Sequence, residues 1–171
     1  KEFLGNSLSA IAKEKVGIIK KKTKVISCKQ SKIVKNIILR KTKEKNSKCL
    51  MYGEDWKVQG NTFLYNDFKI NLSNLSLEGS HQYINASAAI LACLTSKELE
   101  IENLKLESSI NKIKWPGRLH KLSGKLSKQY KDLDIWVDVA HNVLGFRSLR
   151  SWIESFKIFN PVFIIGLGIK K

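Results

Sequence analysis

The chain has 171 residues, enough to bury a core as one domain or parts of two, and 43% of them are apolar with no uninterrupted run near the roughly 18 that a membrane span needs. The net charge is +16, and +12 of it lies between Lys13 and Lys48, where 14 Lys and Arg face only Glu14 and Glu44. That block contains no aromatic ring for base stacking, so it reads as a solvated basic surface in a Lys-, Ile- and Asn-rich chain, and no nucleic-acid partner is expected.

Cys28, Cys49 and Cys93 are odd in number and far apart, which excludes a disulfide framework and a zinc site and points to a reducing cytoplasm. The first residues, Lys1-Glu-Phe-Leu-Gly, do not lead into the apolar stretch of a signal peptide. Both ends read as cuts through a longer protein.

In chain order, Ser7 or Ser9 caps a helix running to about Ile19, with Leu8, Ile11, Ala12 and Val16 on one face. Lys24–Cys28 reads as a strand. Ser31 to Glu44 reads as a helix with Ile33, Ile37 and Ile38 inward and lysines outward. Cys49–Tyr52 is a further strand. From Trp56 to Leu72, short apolar segments are broken at Gly60-Asn61 and Asn66-Asp67, which predicts a small antiparallel ribbon. Gly79 to Ser96 is apolar nearly all round and should be a buried helix, with Ser80 as its cap; Ile101 to Ile113 is an amphipathic one. Trp115-Pro116-Gly117 breaks the pattern and marks a domain boundary. Beyond it come a strand at about Arg118–Leu122, a hairpin-like polar stretch, and a strand at Ile135–Val139. A loop at Ala140–Leu144, a helix from Gly145 to Phe159 and a buried strand Val162–Ile165 follow. That order predicts an α/β fold with a parallel sheet.

Four segments could carry chemistry. Asp138-Val-Ala-His141-Asn142 sits where a strand ends and a helix begins, the usual ligand edge of an open parallel sheet. It reads equally as a loop whose Asp and Asn cap the next helix. Trp115-Pro-Gly-Arg118 presents a guanidinium fork suited to phosphate, or is a linker with a solvated arginine. Glu14-Lys15 is a surface pair by composition. Gly79-Ser-His-Gln-Tyr-Ile-Asn85 is a helix start. No Gly-x-x-x-x-Gly-Lys-Ser/Thr phosphate loop occurs, since Gly124-Lys125 is followed by Leu126, and His81, His120 and His141 have no zinc spacing.

Together and in this order the four segments resemble the folylpolyglutamate/dihydrofolate synthases of the Mur-ligase superfamily. Phe3 to Lys20 is similar to the family's segment after its metal-binding histidine. Gly79 to Ala86 is similar to its nucleotide helix. Trp115-Pro-Gly-Arg-Leu and Asp138-Val-Ala-His-Asn are similar to its linker and C-terminal-domain motifs.

The resemblance implies that residues 1–114 are the later part of a central ATPase domain with a small antiparallel ribbon, and residues 115–171 the start of a Rossmann-like C-terminal domain. It implies ATP and Mg2+ as cofactors and a ligation of L-glutamate onto folate or dihydropteroate through an acyl phosphate, by a monomeric cytoplasmic enzyme. It assigns Lys15 to a lysine that is carbamylated to ligate the metal. Asn85 falls to the adenine side, Arg118 to phosphate, Asp138 to the nucleotide, and His141 to the same loop. The family usually carries proline after His-Asn; this chain has Val143. Its phosphate loop, acidic magnesium ligand and metal-binding histidine are not among these residues, so the chain is expected to be inactive alone. A remnant of a decaying gene and a basic nucleic-acid module are the alternatives.

Overall fold

The computed structural model describes residues 7–96, 103–155 and 160–166. The motif residues Phe3 to Asn6, the expected helix start at Ile101 and the expected helix end at residues 156–159 lie outside them.

The first helix, α1 (Leu8–Lys15), begins where Ser7 turns extended and its hydroxyl accepts the Ala10 N–H at 3.1 Å. It tightens into a 3₁₀ turn at Val16–Ile18. Ala12, Val16 and Ile19 are buried, whereas Leu8 at the helix start is half exposed. Strand β1 (Lys24–Ser27), helix α2 (Lys32–Glu44) and strand β2 (Lys48–Met51) form a right-sized crossover unit, and β1 and β2 pair in parallel from Lys24↔Lys48 to Ser27↔Met51. Ser31 caps α2 through the Val34 N–H. The inward side of α2 runs through Val34, Ile37, Ile38 and buried Thr42, while Ile33, expected inward, sits in the first turn at 57% exposure. The basic block is a surface, as its pattern suggests. Glu44 meets Lys41 at 2.8 Å and Lys45 at 3.7 Å, Glu54 meets Lys35, and Lys20, Lys21, Lys22, Arg40 and Lys43 have no acidic partner among the described residues.

The expected ribbon is β3 (Trp56–Gln59), β4 (Thr62–Tyr65) and β5 (Phe68–Asn71), an antiparallel meander. Both two-residue turns open on a left-handed residue, Gly60 at φ 58° and Asn66 at φ 50°. Period-2 alternation then turns Trp56, Phe63 and Ile70 to one side. They form the core with Leu50, Leu72, Ile110 and the Ile90–Leu91 pair of α3 (His81–Thr95). Trp56, Phe63 and Phe68 meet edge to face, and the buried Trp56 indole donates to the Leu50 carbonyl at 3.3 Å.

Helix α3 packs on β1, β3 and β4 but is not buried all round. Gln82, Ala86, Ser87, Ile90 and Leu91 are buried, whereas Asn85, Ala89 and Ala92 leave an open stripe. Ser80 does not cap it. Its own backbone is already helical, and the Gln82 N–H is taken by the Gly79 carbonyl at 2.9 Å. Helix α4 (Asn103–Ile110) closes the core with Ile110, and the Ser76 hydroxyl ties this end down on the Ile110 and Ile113 carbonyls.

After Trp115 the expectations fare differently. Strands β6 (His120–Lys121) and β7 (Trp136–Val137) fall where strands are expected and pair antiparallel, as a hairpin does, His120↔Val137 and Lys121↔Trp136. The polar stretch between them holds a short helix, α5 (Lys125–Gln129), opened by Gly124 at φ 97°. Helix α6 (Val143–Ser155) follows the loop. The apolar run Val162–Ile165 is not a buried strand. A strand needs a laddered neighbour, and this run pairs with none among the described residues; Val162 is 89% and Ile164 98% exposed. The parallel pairing in the described residues is therefore that of β1 with β2, not one around β7. No helix among the described residues is long and apolar enough to cross a membrane.

Candidate functional site

Two of the sequence segments become one structural unit. Pro116 and Gly117 turn the chain, and Gly117 holds φ 78° with its α-carbon so close to Val139 that a Cβ would lie 3.0 Å from Val139 Cγ1. Glycine is required there twice over. The Gly117 carbonyl accepts the Val139 N–H at 2.9 Å. Asp138 then grips both segments: Oδ2 accepts the Leu119 N–H at 3.0 Å and Oδ1 the Ala140 N–H at 2.7 Å. Leu119 is buried in the left-handed region at φ 44°, a conformation a branched residue holds only where its surroundings impose it. The carboxylate is thus a clamp between two loops, and it holds the exposed Arg118 beside the Asp138–Asn142 turn.

Within that turn His141 is exposed, with Nδ1 3.1 Å from the Val139 carbonyl. Asn142 caps α6, its Oδ1 accepting the Gly145 N–H at 2.9 Å. Gly145 closes on Ala140, where a Cβ would lie 3.0 Å from the Ala140 Cβ. Val143, in place of the family's usual proline, is the first residue of α6. Proline suits that position, so valine costs the loop only some preset backbone.

The start of α3 meets this unit. His81, the first residue of the helix, is half buried, and burial pushes its imidazole below the ordinary histidine pKa. The Asp138 carboxylate acts against that shift and the Arg118 guanidinium with it. Asn85 lies one turn on from His81, on the same side of α3. Asn85 is exposed, and its amide donates to Gln82 Oε1 at 3.0 Å. Arg118, Asp138, His81 and Asn85 therefore group around the start of α3. His81 was not singled out from sequence; its position in Gly79-Ser-His-Gln was the only signal, and it reads as a helix start. Lys15 stands on another element. It is the exposed last residue of α1, which packs on α2.

The group offers a guanidinium, an amide and an imidazole to an anionic ligand, with a carboxylate already spent on backbone N–H groups. It offers less to a metal, since no three His, Cys, Asp or Glu side chains among the described residues could hold one. Cys28 and Cys49 are held as thiols by burial, Cys49 also by the nearby Asp55 and Glu54, so neither is an activated nucleophile.

No family model matches the chain. Curated and solved relatives do. It is 32% identical over 147 residues to the dihydrofolate synthetase of Saccharomyces cerevisiae, covering 82% of this chain and 34% of that protein. It is 28% identical over 180 residues to the folylpolyglutamate synthase of Lacticaseibacillus casei, covering 98% of this chain and 40% of that one. A solved folylpolyglutamate synthase complex with AMPPCP and folate superposes with a TM-score of 0.75 at 25% identity, over 94% of this chain and 40% of that structure. The chain thus spans between about a third and two-fifths of the length of the relatives it matches. Over that span, in sequence and in α/β fold alike, the chain is similar to the folylpolyglutamate and dihydrofolate synthases.

Proposed function

We propose that this chain carries part of the nucleotide site of an ATP-dependent ligase that joins L-glutamate to folate, to dihydropteroate, or to both. The observation that carries the reading is the Asp138 clamp, which joins two family motifs and sets Arg118 beside the start of α3. In this reading Arg118 meets phosphate, Asn85 the adenine side, and His141 the open side of the loop. Asp138 acts chiefly by holding the loops. ATP supplies the phosphoryl group that turns the substrate carboxylate into an acyl phosphate, which the glutamate amine displaces. The residues described do not by themselves hold Mg2+; a carbamylated Lys15 would add one carboxylate-like ligand. The division into residues 1–114 and 115–171, a monomeric state and a cytoplasmic setting belong to the same reading.

Nucleotide binding tests it. AMPPCP titrated into the chain should bind, and Arg118→Ala should weaken binding about tenfold or more, the worth of a charge-assisted contact. Asn85→Ala should weaken it less. Binding indifferent to both substitutions would sink the site. The chain has no Gly-x-x-x-x-Gly-Lys-Ser/Thr motif, so ADP release with glutamate and dihydropteroate or tetrahydrofolate is expected to be absent from the chain alone.

A further inference from the structure

Two side chains that none of the motif roles uses tie α3 to the unit after Trp115. Glu78 Oε2 accepts the indole N–H of Trp152 at 3.3 Å. Trp152 is buried on α6 and meets Trp136 edge to face at 4.7 Å, and Trp136 stands two residues before Asp138 on β7. That is one route from the start of α3 to the clamp. The second runs through Gly79. It holds φ 98°, and the space a Cβ would fill is taken by His81, with Cε1 at 2.8 Å, and by Leu119 Cδ1 at 3.4 Å. Leu119 is the residue whose N–H sits on Asp138. Both routes leave from the four residues Glu78–His81 and both arrive at Asp138.

We infer that Glu78 and His81 are positioning residues: together they dock the Arg118–Asp138 unit onto α3 and set its placement against the Asn85 face. The inference rests on the nucleotide-site reading for its purpose, but not for its geometry.

The latch has a pH sense. The charged groups facing His81 are Asp138, which attracts its protonated form, and Arg118, which repels it; Glu78 in its own segment is engaged with Trp152. Burial outweighs the attraction, so the ring stays neutral below its ordinary pKa of 6.5. A group whose folded pKa is depressed in this way, being a base, binds fewer protons folded than unfolded. Its stabilising effect is complete above 6.5 and is lost as pH falls through the lower folded value.

The test follows the histidine rings and the Trp152 indole N–H by NMR in the 171-residue chain from neutral to acid pH. His81 should titrate below 6.5, and the Trp152 resonance should move with it. His81→Gln should abolish that step while His120→Gln and His141→Gln keep it. Glu78→Ala should displace the Trp152 resonance at neutral pH. Each of Glu78→Ala and His81→Gln should weaken AMPPCP about fivefold, with the wild-type affinity falling along the His81 titration. A His81-dependent step without AMPPCP binding at any pH supports the latch and removes the nucleotide reading. AMPPCP binding with a Trp152 resonance indifferent to Glu78, to His81 and to pH overturns the latch. The wild-type titration decides this even where a variant fails to fold.

Discussion

Residues 48–110 and residues 115–166 carry apolar runs of similar strength and bury them very differently. In the first stretch Phe63, Leu72 and Leu91 are wholly buried and Trp56 and Ile70 nearly so, because ribbon, β2 and two helices close on one another. In the second only Leu119 and Trp152 among the described hydrophobics are buried, while Leu144 is 71% and Ile164 98% exposed. Leu119, Trp152 and Ile164 border an open cleft of about 730 Å³ between β7, α6 and the 161–166 run. The contrast teaches that an apolar pattern marks a face wanting cover, not a face that is covered. It also places the candidate site at the boundary, where a packed helix meets a loosely packed unit.

The largest expected effect sharpens that contrast. Phe63→Ala should cost about 3–5 kcal/mol in denaturant unfolding, the worth of an aromatic core residue that leaves a cavity. Ile164→Ala should change stability by less than about 0.5 kcal/mol. Equal losses would break the comparison. Asp138→Asn comes next. The amide keeps one acceptor for two N–H donors, so about 1–3 kcal/mol should be lost. The loss should appear in the Trp136–Trp152 near-ultraviolet signal before the Trp56 core melts; a single joint transition would show the two regions to be one cooperative unit. Smallest is the exposed Lys35–Glu54 pair. Glu54→Ala should shift stability by under about 1 kcal/mol, and that shift should shrink further in salt.

What the sequence made legible follows the same divide. Ser7 and Ser31 act as caps, and the Gly60-Asn61 and Asn66-Asp67 turns set the ribbon, because those signals are local and the chain itself supplies their partners. Ser80 does not cap because its own backbone is already helical and the Gly79 carbonyl takes the Gln82 N–H. The Ala89 and Ala92 stripe stayed open because apolar character cannot say which side of a helix meets the sheet. The hairpin-like reading of the stretch between β6 and β7 agrees with their antiparallel pairing, whereas α5 and the unladdered Val162–Ile165 run differ from the reading, because a strand's partner is a long-range choice. The motifs around Arg118 and Asp138 were legible as segments. Their union through one carboxylate was not, nor was the approach of His81, which no spacing rule connects to a residue so far along the chain.

The β6–β7 hairpin separates distance along the chain from distance in space. Leu122 donates to the Ile135 carbonyl at 2.8 Å, and from that rung inward the ladder and the Asp138 clamp fix how Arg118 approaches Asp138. The residues between, α5 included, form an enclosed loop that sets no part of that approach. Lengthening such a loop costs only slowly growing closure entropy, about 0.6 kcal/mol for each doubling. The tract from Ser123 to Asp134 is therefore where this chain can gain or lose residues, or accept a grafted peptide, with the spacing of its two motifs unchanged.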